Sequence, residues 1–122
     1  MSRNEYQDLD NSNVYSTGET QVGKWITGET IYRKVFEIPT TSISSQSTNV
    51  VSFSCPNVSP INIGGVIHVG TSNYDYSING FRTQDYGVRH TTGGFDVIVG
   101  TSMSPEGTFS GYLVVDYIKN TN

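Results

Sequence analysis

The sequence predicts an all-β chain folded as a single-domain antiparallel β-sandwich of jelly-roll type. Three observations predict this class. Thirteen glycines, with many Thr, Ser, Val, Ile and Tyr residues, favour strands and tight turns over helices. Turn signals at short spacing separate the segments with strand character, which indicates six to eight strands. A length of 122 residues fits one domain, in which eight Tyr and five Phe supply a small aromatic core.

The clearest predicted strands are Val22–Thr27, Thr30–Ile38, Asn49–Ser54, Ile61–Val69, Phe95–Thr101 and Phe109–Lys119. Gly28 lies in the turn between the first two and supplies the positive φ that a tight hairpin needs. In the second strand Tyr32, Phe36 and Ile38 share the face expected to be buried, and Lys34 is the exception. In the last strand the expected buried residues are Leu113, Val115 and Tyr117, and in the strand before it they are Phe95, Val97 and Val99.

The limits of these strands follow from Pro and Gly. Pro39 is predicted to end the second strand, and two prolines between Cys55 and Pro60 are predicted to stop ladder formation. Gly64-Gly65 predicts a bulge or a kink, and therefore a bend, in the strand that follows. Residues 70–94 are predicted to form short hairpins and exposed loops, and 104–107 a turn. Residues 1–13 are expected to be a flexible or anchoring arm, and 14–122 the sandwich domain.

Charge and composition exclude several classes of function. A formal charge of −4 argues against nucleic acid as a partner, because phosphate binding needs a concentrated cationic face. Cys55 is the single cysteine, so no intrachain disulfide is possible, and it is interpreted as a small buried hydrophobe. The first residues form no apolar signal region, and no run of eighteen apolar residues predicts membrane insertion.

Residues 73–86 contain the candidate ligand-binding site. Tyrosine rings suit stacking on sugars, while planar carboxylate, amide and guanidinium groups suit paired hydroxyls. The candidate residues are Tyr74, Asp75, Tyr76, Asn79, Arg82, Asp85 and Tyr86. The alternative is a surface hairpin whose tyrosines pack on neighbouring strands. Under the binding hypothesis, Tyr76→Ala and Tyr86→Ala reduce binding without unfolding the protein.

The hairpin VGKWITGETIYRKVF holds a second set of aromatic and cationic residues. They could bind sugars or phosphate-bearing polymers. The favoured interpretation makes them framework or interface residues: Trp25 and Tyr32 lie in the core or between subunits, and Arg33 and Lys34 pair with carboxylates such as Glu19 and Glu29. Trp25→Ala is then expected to damage folding or assembly first. Tyr117 belongs to the same framework set.

Neither a metal site nor a catalytic site is predicted. His68 and His90 could join Asp85 or Asp96, but the two histidines lack the short spacing of a zinc site. An ion bound on a threefold axis by histidines of neighbouring subunits is kept as an alternative. Asp96 and Asp116 could form a carboxylate pair, yet both are expected to alternate outward from apolar neighbours. No nucleophile or metalloprotease signature occurs, so no enzymatic activity and no cofactor are expected.

The motifs at the two ends of the domain resemble a known family. Residues 15–34, YSTGETQVGKWITGETIYRK, resemble the opening of a domain widespread in tail-fibre, baseplate and minor structural proteins of tailed bacteriophages, which has Y-S-T-x-E followed by V-G-x-W-x-x-G-x-x-x-Y-R-K. Residues 111–119, GYLVVDYIK, are similar to its closing strand. Thr27 and Glu29 depart from the residues usual at their positions. Residues 40–108 agree only in general β character.

The resemblance implies a non-enzymatic virion protein, made in the host cytoplasm, that forms a homotrimeric all-β module. Its implied partners are copies of itself, other virion proteins through residues 1–13, and host cell-surface carbohydrate through exposed loops, chiefly 72–92. The alternative is a purely architectural subunit, such as a capsid decoration, head-fibre or collar protein, that contacts only other virion proteins.

Overall fold

The chain was analysed as a computed structural model that describes residues 14–43, 49–70, 74–81, 86–100 and 107–120. The strands in these ranges are β1 (Thr20–Lys24), β2 (Thr30–Ser42), β3 (Asn49–Ser54), β4 (Val58–Val69), β5 (Tyr74–Ser77), β6 (Tyr86–Thr91), β7 (Gly94–Val99) and β8 (Thr108–Lys119). The described ranges contain no helix. Accordingly, no helix in them is long and apolar enough to cross a membrane. The predicted arm, residues 1–13, lies outside the described residues.

The strands form two antiparallel sheets that pack face to face. The larger sheet has the order β1-β2-β8-β4-β5, and the smaller has the order β3-β7-β6. Apolar side chains from the inner faces of both sheets meet in one core, which includes Phe36, Ile67, Phe95 and Phe109. This arrangement is typical of a sandwich, in which each sheet buries its apolar face against the other. The predicted all-β sandwich class is confirmed.

The larger sheet is built around β8, which pairs with β2 on one side and β4 on the other. Leu113, Val115 and Tyr117 are at most 1% exposed, so the predicted inner face of this strand is confirmed. On β2 Phe36 is buried in the core, as predicted, and the inward-facing Lys34 is half-buried.

The smaller sheet is centred on β7, which is buried on both faces. Phe95, Val97 and Val99 face the core and are fully buried, as predicted. Asp96 and Ile98 alternate to the opposite face, yet they are only 8% and 2% exposed. Asp96 is therefore outward-facing, as expected, but covered, because side chains of both neighbouring strands bond to its carboxylate.

The hairpin of β1 and β2 differs from its predicted limits. β1 spans Thr20–Lys24 rather than Val22–Thr27, because residues 25–29 form the turn. Two backbone hydrogen bonds close it: the Trp25 amide donates to Glu29 O and the Gly28 amide donates to Trp25 O, both at 2.8 Å. Gly28 has a φ of 91°, so the predicted positive φ is confirmed.

Two predictions about proline were wrong. Pro39 does not end β2, which continues to Ser42; the register with β8 shifts between Ile38 and Thr41, so the ladder skips the residue that lacks an N–H. β4 begins at Val58 instead of Ile61 and includes Pro60. Here too the pairing with β8 shifts just after the proline, before Asn62.

The bulge predicted at Gly64-Gly65 was also wrong, because both glycines pair in continuous register with β8. Gly65 instead permits close approach of two backbones: it has a φ of 127°, and a Cβ there would lie 2.1 Å from the Tyr112 carbonyl oxygen.

Short hairpins occur in residues 70–94, as predicted. β5 pairs with β4, and β6 pairs with β7. Residues 71–73 and 82–85 lie outside the described residues, as do 104–106 of the turn predicted before β8. Because β7 and β8 belong to different sheets, the chain crosses between the sheets there.

Candidate functional site

Two of the three tyrosines predicted to bind a ligand, Tyr76 and Tyr86, pack on each other. Tyr76 on β5 and Tyr86 on β6 have ring centroids 5.4 Å apart. Both side chains are half-buried and contact the core. For this pair the structure favours the alternative in which the tyrosines pack on neighbouring strands.

Asp75 lies apart from these rings. It is opposite His68 in the ladder of β4 and β5, and its Oδ1 contacts the His68 Nδ1. His90 lies on the smaller sheet, with its ring 5.1 Å from that of Phe95. The two histidines therefore do not converge, and the described residues contain no group of three metal-binding side chains.

The remaining candidate residues lie in different places. The Tyr74 backbone belongs to β5. Arg82 and Asp85 fall outside the described residues. Asn79 is exposed and follows the last residues of β5. Among the predicted ligand-binding residues whose side chains the structure describes, Asn79 lines a groove.

This groove, termed here the Phe81 groove, encloses about 310 Å³. Its walls are Pro60, Ile61, Asn62 and Ile63 on one side and Asn79, Gly80 and Phe81 on the other. The second wall runs beside β4, because the Ile78 amide donates to Gly65 O at 3.0 Å and the Gly80 amide donates to Ile63 O at 3.1 Å. A bridge between Phe81 and Val88 then joins it to β6. The groove therefore lies where the chain passes from the larger to the smaller sheet.

The chemistry of the Phe81 groove suits an uncharged, hydroxyl-rich ligand. Phe81 is 51% exposed and offers an apolar ring face. Asn62 and Asn79 are exposed, and each amide provides two donors and an acceptor. Among the described residues that line the groove, none carries a charge.

Asn79 was predicted from the sequence, whereas Phe81 and Asn62 were not. The Asn79-Gly80 turn signal directly before Phe81 indicated an exposed position for this aromatic side chain. Nothing in the sequence around Asn62 indicated that it would lie on the wall opposite Asn79 and Phe81.

The predicted framework residues connect the two ends of the domain. Arg33 on β2 donates two hydrogen bonds to Asp116 on β8, at 2.7 and 3.1 Å. These hydrogen bonds raise the pKa of Arg33 above its ordinary value. The guanidinium also lies 4.5 Å from the centroid of the Tyr15 ring. Arg33 therefore pairs with a carboxylate, as expected, but the partner is Asp116, which lies opposite it in the ladder, and not one of the two glutamates given as examples.

Glu19 contacts the end of β8. Its Oε2 accepts a hydrogen bond from the Tyr117 hydroxyl, and its Oε1 lies 2.6 Å from Lys119 Nζ. Burial tends to raise the pKa of Glu19, but the hydrogen bonds from Lys119 and Tyr117 outweigh it and leave the pKa below its ordinary value. Tyr32 stacks on Tyr117 with centroids 6.1 Å apart. Tyr32 and Tyr117 therefore lie in the framework, as the favoured interpretation expects.

Lys34 and Trp25 depart from that interpretation. Lys34 forms no ion pair with a described residue, and its Nζ lies 5.2 Å from the centroid of the Phe36 ring. Trp25 lies in the β1–β2 turn, 37% exposed and outside the core. The core position considered for Trp25 is therefore wrong, while its place in a subunit interface stays a prediction.

Asp96 and Asp116 do not form a carboxylate pair. Asp96 lies on the outer face of the smaller sheet and bonds to Arg89 and Ser52. Hydrogen bonds from Arg89 and Ser52 lower the pKa of Asp96. Asp116 faces outward from the larger sheet, where Arg33 binds it. The two carboxylates lie on opposite sides of the sandwich.

No family model, curated protein or solved structure matches this chain. Its function is therefore inferred from its own motifs and geometry.

Proposed function

We propose that this chain is a non-enzymatic structural protein of a bacteriophage virion, of the tail-fibre or baseplate type, that attaches to host-surface carbohydrate through the Phe81 groove. The observation that carries this proposal is a groove whose described lining combines the half-exposed Phe81 ring with two exposed asparagines and includes no charged residue. Sugar rings pack their C–H groups on aromatic faces, and their hydroxyls pair with amide groups. The likeness of both terminal motifs to phage structural proteins supports the virion assignment.

The contacts between these motifs support a division of labour along the chain. Tyr15, Glu19 and Arg33 of the opening motif contact Asp116, Tyr117 and Lys119 of the closing motif or each other. Because these side chains contact each other within the domain, we assign the two motifs to stabilising the fold. We assign carbohydrate recognition to the middle of the chain, where the Phe81 groove lies.

The proposal includes a jelly-roll-type homotrimer, joined to other virion proteins through residues 1–13. A single shallow groove binds sugar weakly, and several linked copies convert weak contacts into firm adhesion. Light scattering of the purified protein should give three times the chain mass of 13.4 kDa. A monomer at micromolar concentration would contradict the trimer.

The carbohydrate proposal is tested by Phe81→Ala, with Tyr112→Ala as the matched control. Both side chains are 51% exposed, but Tyr112 lies on the outer face of the larger sheet. Binding is measured on host cells and on immobilised neutral host-envelope oligosaccharides. We expect Phe81→Ala to weaken binding about tenfold, the size of one lost stacking contact, and Tyr112→Ala to leave it unchanged. Equal binding by both variants would contradict the proposal.

A purely architectural subunit is the second candidate, favoured by the tip of the β1–β2 turn. Ile26 is 90% exposed beside the partly exposed Trp25, and adjacent exposed apolar side chains suit contact with another protein. Under this alternative, deletion of residues 1–13 or Ile26→Ser abolishes incorporation into particles, and Phe81→Ala leaves host attachment unchanged.

A further inference from the structure

A second pocket opens between the sheets, beside the contact of Glu19 with Tyr117 and Lys119. It encloses about 280 Å³. Glu19, Lys34, Tyr117 and Lys119 line it from the larger sheet, and Ser54, Cys55, Pro56 and Asn57 line it from β3 and the residues after β3. It is termed here the Lys34 pocket. Ligand sites are typically clefts in which a few polar groups converge.

The carboxylate of Glu19 in this pocket already has two partners. Glu19 accepts a hydrogen bond from Tyr117 on one carboxylate oxygen and contacts Lys119 with the other. Burial raises the pKa of the Cys55 thiol and of the Tyr117 hydroxyl, so both stay neutral at physiological pH. Glu19 and Lys119 therefore balance each other in charge.

Lys34 supplies the remaining charge. It faces inward on β2, in line with Tyr32 and Phe36, at a position where a core side chain is expected. Its ammonium group forms no ion pair with a described residue. It lies near the Phe36 ring and interacts with the charge of Glu19, which Lys119 already neutralises. An anion that enters the pocket therefore gives Lys34 an ion pair of its own. The described residues that line the pocket carry a net charge of +1.

We propose that the Lys34 pocket binds the carboxylate of a small acidic ligand, with Lys34 as its ion partner. One positive charge matches a carboxylate better than a doubly charged phosphate. The volume lies just below the range of about 300–1,000 Å³ typical of ligand pockets, which limits the occupant to about one sugar ring. The side chains of Ser54, Asn57 and Asn120 at the pocket wall supply hydrogen bonds for hydroxyl groups. A sugar acid has both the carboxylate that would pair with Lys34 and the hydroxyl groups that would bond to these side chains.

This site is separate from the Phe81 groove, and the proposal does not depend on the carbohydrate function assigned there. Sodium glucuronate is titrated into the full chain at low ionic strength by isothermal calorimetry, with the uncharged methyl ester of glucuronic acid and with glycerol 3-phosphate as comparison ligands. We expect glucuronate to bind more tightly than either, and 0.5 M NaCl to weaken it. Equal binding of the ester, or tighter binding of the phosphate, would overturn the proposal.

Lys34→Gln and Lys24→Gln form the matched pair of variants. Lys24 is an exposed lysine on β1, bonded to Thr30 at 2.9 Å. We expect Lys34→Gln to weaken glucuronate binding about tenfold or more, the effect of a lost charge-assisted hydrogen bond, while Lys24→Gln leaves it unchanged. Unchanged binding by Lys34→Gln overturns the proposal. If that variant does not fold, Lys34→Arg decides: it retains the charge and should retain binding, and its loss of binding would count against the site.

Discussion

The rings of Tyr76 and Tyr86 lie 5.4 Å apart, and their strands are the edges of opposite sheets. The pair therefore joins the two layers of the sandwich at one side. Each ring also packs against the core. Tyr76 and Tyr86 are of a residue type that suits a sugar site, but in this fold they pack the two sheets together.

Removal of either ring should destabilise the fold. Tyr76→Ala and Tyr86→Ala are each expected to lower the free energy of unfolding by about 2–4 kcal/mol, because each deletes a packed aromatic side chain. Tyr76→Phe keeps the ring and should cost less than about 1 kcal/mol. Urea denaturation measures all three. Ala variants as stable as the wild type would restore these tyrosines as candidates for ligand binding.

Arg33 and Arg89 allow a comparison of two ion pairs on the same scaffold. The side chains of Arg33 and Asp116 are each 13% exposed, whereas Arg89 is 58% exposed. Arg33→Lys should lower the free energy of unfolding by about 1–3 kcal/mol, since lysine cannot reproduce the paired hydrogen bonds of the guanidinium. Arg89→Lys should cost less than about 1 kcal/mol, because solvent screens the exposed Arg89 guanidinium, although Asp96 is covered. A larger cost for Arg89→Lys would contradict this order.

Asp96 should make stability depend on pH in the acidic range. Hydrogen bonds from Arg89 and Ser52 hold its pKa below the ordinary value. A lowered folded-state pKa stabilises the protein above the unfolded-state pKa, and that stabilisation disappears as the pH falls through the folded-state pKa. Asp96→Asn should therefore cost about 1–2 kcal/mol at pH 7, and the difference from wild type should shrink below about pH 4. Denaturation curves from pH 7 to pH 2 measure this difference; a difference that is constant with pH would exclude a contribution from the carboxylate charge.

Gly65 should tolerate no side chain. A Cβ at this position would lie 2.1 Å from the Tyr112 carbonyl oxygen, a backbone atom that cannot move without breaking the ladder. Gly65→Ala is expected to cost more than about 3 kcal/mol or to prevent folding. Gly23→Ala is the control, because a Cβ on Gly23 meets nothing within 4 Å. Circular dichroism and thermal melting report the result, and two equally stable variants would show that β4 and β8 can separate locally.

Trp25→Ala should leave the folded monomer nearly unchanged, because Trp25 lies in an exposed turn outside the core. The expected change in unfolding free energy is below about 1 kcal/mol, in the range of surface substitutions. If the turn lies in a subunit interface, the variant loses oligomer mass in light scattering while it keeps its unfolding midpoint as a monomer. Unfolding of the monomer by this substitution would refute the surface assignment.

The local pattern predicted strands and their faces well where alternation was long and uninterrupted. Leu113, Val115 and Tyr117 point inward because a period of two places them on one face of a strand. Prolines and glycines misled at strand limits. A bulge can accommodate Pro39 within β2, and Gly65 is required by a strand that is distant in sequence. Both effects depend on pairing with β8, and the local sequence pattern around Pro39 or Gly65 does not show that partner.

The candidate site was harder to predict because it depends on contacts between distant segments. The Phe81 groove combines residues from the start of β4 with residues that follow β5. Tyr76 meets Tyr86 only because two sheet edges adjoin. Residue type alone could not distinguish a ring that binds a ligand from a ring that binds its neighbour.

The position of β8 has a consequence for biosynthesis. This strand is the last of the described strands in the chain, yet it lies between β2 and β4 in the larger sheet. Until residues 108–119 have left the ribosome, these two long strands lack their shared partner and their edges stay open to other chains. The fold is thus completed after synthesis of β8, in a step that closes contacts of long sequence separation and that we expect to be slow. A ribosome stalled before this strand would hold an aggregation-prone half-sandwich.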